Sequence, residues 1–155
     1  MRLRILAVGT RMPTWVETAV QEYARRLPPE LALEVVEVPL GRRAKGADPA
    51  AAVVEEGRAL LKAVGARDTL VALDIGGEPW STPGLAEKLA AWQGAGGNCC
   101  LLVGGPDGLD RSCLERAHLR WSLSALTLPH PLVRVILAEQ LYRAWTINAG
   151  HPYHR

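Results

Sequence analysis

The 155-residue chain predicts an α/β fold, one domain built around a parallel sheet. Short apolar runs alternate with longer segments of helical period, the pattern that successive βα units leave in a sequence. Two of those runs end in glycines, VALDIGG at 71–77 and LLVGG at 101–105. Strands finish in this way at the ligand-binding edge of an open α/β sheet. The length suits one core of ordinary size and leaves no chain for a second.

Strands are expected at Arg2 to Val8, Leu33 to Val38, Thr69 to Leu73, Cys99 to Val103 and Leu119 to Leu123. Between the first two, Thr14 opens a helix with Trp15, Val16, Ala19, Val20 and Tyr23 on its buried side, and Pro28-Pro29 closes it. Asp48-Pro49 reads as an N-cap followed by an N1 proline, starting a helix to about Val64. Ser81 or Thr82 with Pro83 repeats that signal; Leu85, Leu89 and Trp92 form the stripe, and Gly94 to Gly97 end it. A short helix holding Cys113 and His118 follows the fourth strand. The last helix should run from about Pro131 to Asn148, apolar on most sides. Such a helix is buried on most sides, and Leu132, Ile136, Leu141 and Trp145 mark it as a subunit interface.

Composition excludes several classes. Three cysteines cannot form an even disulfide framework, and Cys99-Cys100 sits in an apolar run, which points to a reducing cytoplasm. Without Cys-x-x-Cys or a nearby histidine pair, no metal site is expected. The N-terminal apolar stretch is too short for a signal peptide, and no run is long enough to cross a membrane. A net charge of +2 names no partner. Its placement says more. Every histidine lies at or beyond His118, and after Glu115 the only acid is Glu139, against Arg116, Arg120, Arg134, Arg143 and Arg155. With Tyr142, Trp145 and Tyr153 interleaved, this is the footprint of a surface that holds a polyanion. A second basic stretch, Pro39 to Asp48 with Arg42, Arg43 and Lys45, reads as a mobile loop that touches a ligand or RNA.

The glycine turn in CCLLVGGPDG fits neither the dinucleotide spacing G-x-G-x-x-G nor a phosphate loop ending in G-K-[ST]. Glycines there let a ligand approach the backbone without meeting a Cβ. Asp74 or Glu78, at the other turn, could bond a hydroxyl or an amine. SLSALTLPHP, residues 122–131, has no clean period, and an apolar loop of this kind must satisfy its buried backbone with something. His130 between two prolines reads as a structural or capping histidine. No nucleophilic triad or carboxylate pair can be assembled, so the chemistry depends on positioning more than on a strong nucleophile.

GGPDG, SLSALTLPHPLVRVILAEQLYRAW and the terminal HPYHR together resemble the RlmH family, small SPOUT-class methyltransferases that modify a pseudouridine of bacterial large-subunit ribosomal RNA. The resemblance spans the chain. It implies a C-terminal trefoil knot, a homodimer, S-adenosylmethionine as donor, and methylation of N3 of a pseudouridine in the intersubunit-bridge stem-loop of assembled ribosomes. It implies donor contacts at Leu73, Gly104, Gly105, Leu123, Ser124, Ala125, Leu126, Thr127, Leu128 and Pro129. Tyr153, His154, Arg155 and Arg143 are then the expected catalytic set, with His154 either a general base or an RNA anchor. Glu78 stands where the family pattern suggests a basic residue. Two other readings stay open: a ribosome-associated RNA-binding module without chemistry, and a related knotted enzyme acting on transfer RNA.

Overall fold

The computed structural model describes residues 1–155. The chain runs β1 (Arg2–Val8), α1 (Thr14–Ala24), a 3-10 turn (Pro29–Leu31), β2 (Ala32–Val38), α2 (Ala50–Lys62), β3 (Thr69–Pro79) and α3 (Thr82–Ala95). It continues through β4 (Cys99–Val103), α4 (Arg111–Arg116), β5 (Leu119–Ser122), α5 (His130–Ala149) and a final 3-10 turn (Pro152–His154). The strands form one five-stranded sheet in the order β2-β1-β4-β3-β5, every neighbouring pair parallel. All carboxyl ends therefore share one edge.

Alternation along the strands decides the layering, because successive side chains point to opposite faces. Leu3, Ile5 and Ala7 of β1 join Cys99, Leu101 and Val103 of β4 in a core with Leu85 and Leu89 of α3 and Leu137 and Leu141 of α5. Leu6, Val8, Cys100 and Leu102 face the other way, onto Leu60 of α2 and Cys113 of α4. The neighbouring cysteines thus lie on opposite faces of one strand, both fully buried. Burial pushes the Cys100 thiol up to about 12, and Cys99 rises for the same reason. They pack as small hydrophobes.

The helix starts follow from local chemistry. Ser81 Oγ accepts from the Gly84 amide at 3.1 Å, with Pro83 in the first turn, so α3 begins where the sequence says it should. Asp48 accepts from the Ala50 amide at 2.9 Å, and Pro49 itself caps α2. On α1, Val16 and Val20 are buried whereas Trp15 is 56% exposed, so the expected apolar side is narrower than the sequence suggests. His118 lies beyond α4 rather than on it. Its Nδ1 accepts from the Leu70 amide at 2.9 Å, and its own amide donates to Leu70 O, which gives it a structural role between α4 and the sheet.

β3 departs furthest from expectation, reaching Pro79 rather than Leu73. Leu73 and Glu78 both pair with Trp121 of β5, so the residues between them loop out of the ladder as a bulge. The glycine pair 76–77 belongs to that bulge and not to a terminating turn. A Cβ on Gly77 would lie 2.7 Å from the Arg120 carbonyl carbon, which leaves room for glycine alone.

α5 packs between α1 and α3. Its residue Leu141 is fully buried in the chain's own core and so is unavailable to a partner, while Leu132, Ile136 and Trp145 remain partly exposed. Arg134 is 3% exposed, pairs with Glu37 of β2, and donates to Gly9 O at 2.8 Å. It ties the start of α5 to the carboxyl ends of β1 and β2.

Candidate active site

At the carboxyl edge of the sheet lies a cavity of about 700 Å³. Three stretches of chain enclose it: Leu73 to Ile75 at the β3 bulge, Val103 to Leu109 after β4, and Trp121 to His130 after β5. Val133 of α5 closes one side. Of the donor residues expected from the sequence, Leu73, Gly104, Gly105, Leu123, Ser124, Leu126, Thr127, Leu128 and Pro129 line it. Ala125 does not, and is exposed. The volume falls in the range of about 300–1,000 Å³ usual for small-molecule sites.

The wall after β5 shows how such a cavity can recognise a polar ligand. None of residues 123–128 makes a backbone-to-backbone hydrogen bond. Two local bonds shape the segment instead: Ser122 Oγ donates to Ser124 O at 3.1 Å, and the Leu126 amide donates to Ser124 Oγ at 2.9 Å. Most of its N–H and C=O groups stay free beside an apolar surface, a pattern suited to the edge of a heterocycle. Leu126, 72% exposed, and Ile75, 62% exposed, stand at the rim.

The opposite wall is the glycine turn. Gly105, Pro106, Asp107 and Gly108 form a tight turn in which the Gly108 amide donates to Gly105 O at 3.1 Å and Gly108 holds φ +77°. Proline second and glycine last are the residues this turn favours. A Cβ on Gly104 would lie 2.6 Å from the Gly108 carbonyl carbon, and one on Gly105 would lie 2.9 Å from Val8 Cγ1. Both vectors point into protein rather than into the cavity. Gly104 is needed to close the turn and Gly105 to pack it against Val8 of β1, a correction to the expectation that they clear space for a ligand.

Of three further lining residues, Asp74 was expected beside the site, and Trp121 and His130 gain meaning only in the structure. Trp121, 3% exposed, forms part of the wall and stacks on Trp80 at 4.7 Å between ring centroids, with Lys88 Nζ 4.6 Å over the Trp80 ring. Its signal in the sequence was its place near the end of a parallel strand, where crevice residues collect. Asp74 reaches the cavity while its Oδ2 accepts from Arg120 at 2.6 Å. His130 is not a cap: α5 has no side-chain cap, and the histidine lines the cavity with Nδ1 buried and without a partner. Burial, then the nearby Arg134 charge, lowers its pKa below the usual imidazole value and keeps the ring neutral at pH 7.

The basic tail is elsewhere. Tyr153 packs edge-on against Tyr142 at 4.7 Å, its hydroxyl donates to Glu139 Oε1 at 3.3 Å, and the Arg143 guanidinium carbon lies 5.0 Å over its ring. Arg143 Nε also donates to Glu139 Oε1 at 2.8 Å, and that bond raises its pKa further. Burial first, and then the Glu139 charge, raises the Tyr153 pKa, so the phenol stays protonated. His154 Nδ1 is buried without a partner, and Arg155 is exposed. No residue of this group lines the cavity. Glu139 and Arg143 stand nine and thirteen residues beyond His130 on α5, about 14 and 20 Å along the axis. The expected mobile loop is also partly fixed, since Arg43 is held by Glu56 and Asp107 while Arg42 and Lys45 are exposed. No cluster of His, Cys, Asp or Glu is placed to hold a metal ion, and no helix is long and apolar enough to cross a membrane.

Residues 1–154 match the family described as "Predicted SPOUT methyltransferase". The chain is 59% identical over 155 residues to the ribosomal RNA large subunit methyltransferase H of Alkalilimnicola ehrlichii, covering 100% of this chain and 99% of that one. It is 56% identical to the protein of that name from Chromohalobacter salexigens, with 100% of both chains covered. The solved structure of a probable methylase family protein from Haemophilus influenzae shares the fold at a TM-score of 0.55 and 14% identity, over 96% of this chain and 66% of that one. Matched to the family from its first residue to its penultimate one, and more than half identical to these relatives end to end, the chain belongs to the SPOUT methyltransferases.

Proposed function

We propose that this protein methylates large-subunit ribosomal RNA, taking the methyl group from S-adenosylmethionine and placing it on N3 of a pseudouridine in the intersubunit-bridge stem-loop. The single observation that carries the reading is the cavity at the carboxyl edge. It combines adequate volume, a largely apolar wall and a run of unpaired backbone groups, which together suit an adenosyl donor. Relatives named for methylation of large-subunit ribosomal RNA support the choice of substrate. A trefoil knot is part of the proposal, supported by β4 and β5 flanking β3 while α5 returns across α3.

Bound there, the donor supplies a methyl group already activated by its sulfonium. Leu123, Ser124, Leu126 to Pro129 and the glycine turn would hold the donor, and Leu73 and Trp121 would help to keep water out of the cavity. Transfer requires N3 to present its lone pair in line with the methyl carbon and to give up its proton, so the protein contributes orientation and charge stabilisation. Arg143 and Arg155 offer fixed positive charge, Tyr153 a protonated hydroxyl, and His154 an imidazole that takes the proton or anchors RNA.

Arg143 stands thirteen residues beyond His130 on α5, about 20 Å along the axis, and Tyr153 folds back onto Glu139 beside it, which supports a homodimer in which the tail of one protomer serves the cavity of its partner. Leu132, Ile136, Trp145 and the exposed Trp15 offer apolar surface for such a pairing. A ribosomal RNA substrate supports a cytoplasmic location. Nucleoside mass spectrometry of large-subunit RNA, after incubating unmodified ribosomes with the protein and donor, tests the reading. A new N3-methylpseudouridine is the expected product, and methylation of transfer RNA instead would overturn it.

A further inference from the structure

The basic loop between β2 and α2 contains an ion-pair bridge that the cavity itself does not explain. Arg43 Nη1 donates to Glu56 Oε2 at 2.7 Å, and Arg43 Nε donates to Asp107 Oδ2 at 3.0 Å. Glu56, on α2, is 2% exposed, and the same Oε2 accepts the Gly41 amide at 2.9 Å. Asp107 is the third residue of the glycine turn. One guanidinium therefore links a buried carboxylate on a helix, the backbone of a loop and the tip of the cavity wall. The fork geometry of arginine makes this possible, whereas a lysine ammonium would act as a point charge.

Stability is a poor reason for this bridge. Removing ions from water costs nearly as much as their attraction returns, and apolar replacements often do as well. Here the compensation is incomplete, because Arg43 Nη2 and Glu56 Oε1 are buried without partners. What the bridge does supply is fixed geometry. α2 is already seated against the same region, since a Cβ on its Gly57 would lie 2.7 Å from Asp110 Cβ. Leu40, at the start of the loop, lies 3.4 Å from where a Cβ of Gly105 would stand. None of Arg43, Glu56 or Asp107 lines the cavity.

We propose that Arg43 is a positioning residue for the methyl donor, bracing the glycine turn from behind through Asp107 against the buried Glu56. The proposal rests on the donor reading of the cavity given above. Freeing Asp107 lets the turn sample other shapes, and donor binding then has to select the competent one. The same bridge fixes the loop that carries Arg42 and Lys45, so donor occupancy and the presentation of those cations to RNA are linked.

Asp107→Asn in the full-length protein is the decisive variant, because Asp107 touches neither Glu56 nor the cavity and its loss leaves no buried charge unpaired. Calorimetry with S-adenosylmethionine should show donor affinity weakened about five- to tenfold, with the melting temperature nearly unchanged. In single-turnover assays on ribosomes the donor requirement should rise while the rate at saturating donor holds. Arg43→Lys should not restore tight binding, and Arg43→Gln combined with Asp107→Asn should be no worse than Arg43→Gln alone. Wild-type affinity in a folded Asp107→Asn protein, or additive losses in the double variant, would overturn the proposal. A wild-type protein that binds no donor at all would instead overturn the donor reading, and the brace with it.

Discussion

Glycines 104 and 105 differ in what a methyl group would meet. At Gly104 the obstacle is the Gly108 backbone, which cannot turn aside, and at Gly105 it is the Val8 side chain. Overpacking of this kind costs about 1–3 kcal/mol. Gly104→Ala is therefore expected to weaken donor binding at least tenfold and to lose more than Gly105→Ala, as measured by calorimetry on both folded variants. His130 gives a pH signature. Its folded pKa lies below the unfolded value of about 6.5, so its contribution to stability is complete above that value and is lost as pH falls through the folded one. Melting temperature should decline below about pH 6.5, and His130→Gln should flatten that part of the profile.

Arg134 joins three elements, and its loss tests whether α5 is held by charge as well as by its apolar side. Truncating one member of a buried ion pair costs about 3–5 kcal/mol because the other is left unsatisfied. Glu37 keeps some access to solvent, so Arg134→Ala should fall near the lower end in chemical denaturation. At this scale the sequence was legible wherever information was local. β1 and β4 occupy the expected residues because the apolar runs ILAV and CCLLV each end at a glycine, and α3 begins at Thr82 because the Ser81 cap and Pro83 stand within its first turn. β3 ran past its expected end because a bulge opposite Trp121 is a property of pairing with β5, which no local pattern records. The site divides in the same way. The aperiodic apolar segment 122–131 announced itself by lacking a period. Asp74 was marked by the glycine pair beside it, whereas Trp121 and His130 reached the cavity only through strand order, and the fold-back of Tyr153 onto Glu139 depends on a contact across 14 residues.

For the whole molecule, the separation of tail and cavity makes a stoichiometric prediction. Deleting Tyr153 to Arg155 should leave donor affinity nearly intact while methyl transfer falls by at least a hundredfold. Mixing that chain with a Gly104→Ala chain should restore part of the activity, because the mixed dimer holds one intact cavity facing one intact tail. Single-turnover assays on ribosomes with the two proteins apart and together decide the matter, and absence of complementation would return each tail to its own protomer. Sedimentation at micromolar concentration should show a dimer; a stable 16.8 kDa species would exclude the shared site.

The Trp80–Trp121 stack gives the cavity a built-in optical label. Trp121 forms part of the wall against which the proposed donor would rest, and its partner ring is already covered by Lys88. A cationic sulfonium or an adenine brought against that indole changes how its excited state decays, so occupancy should register as a change in intrinsic emission without any dye.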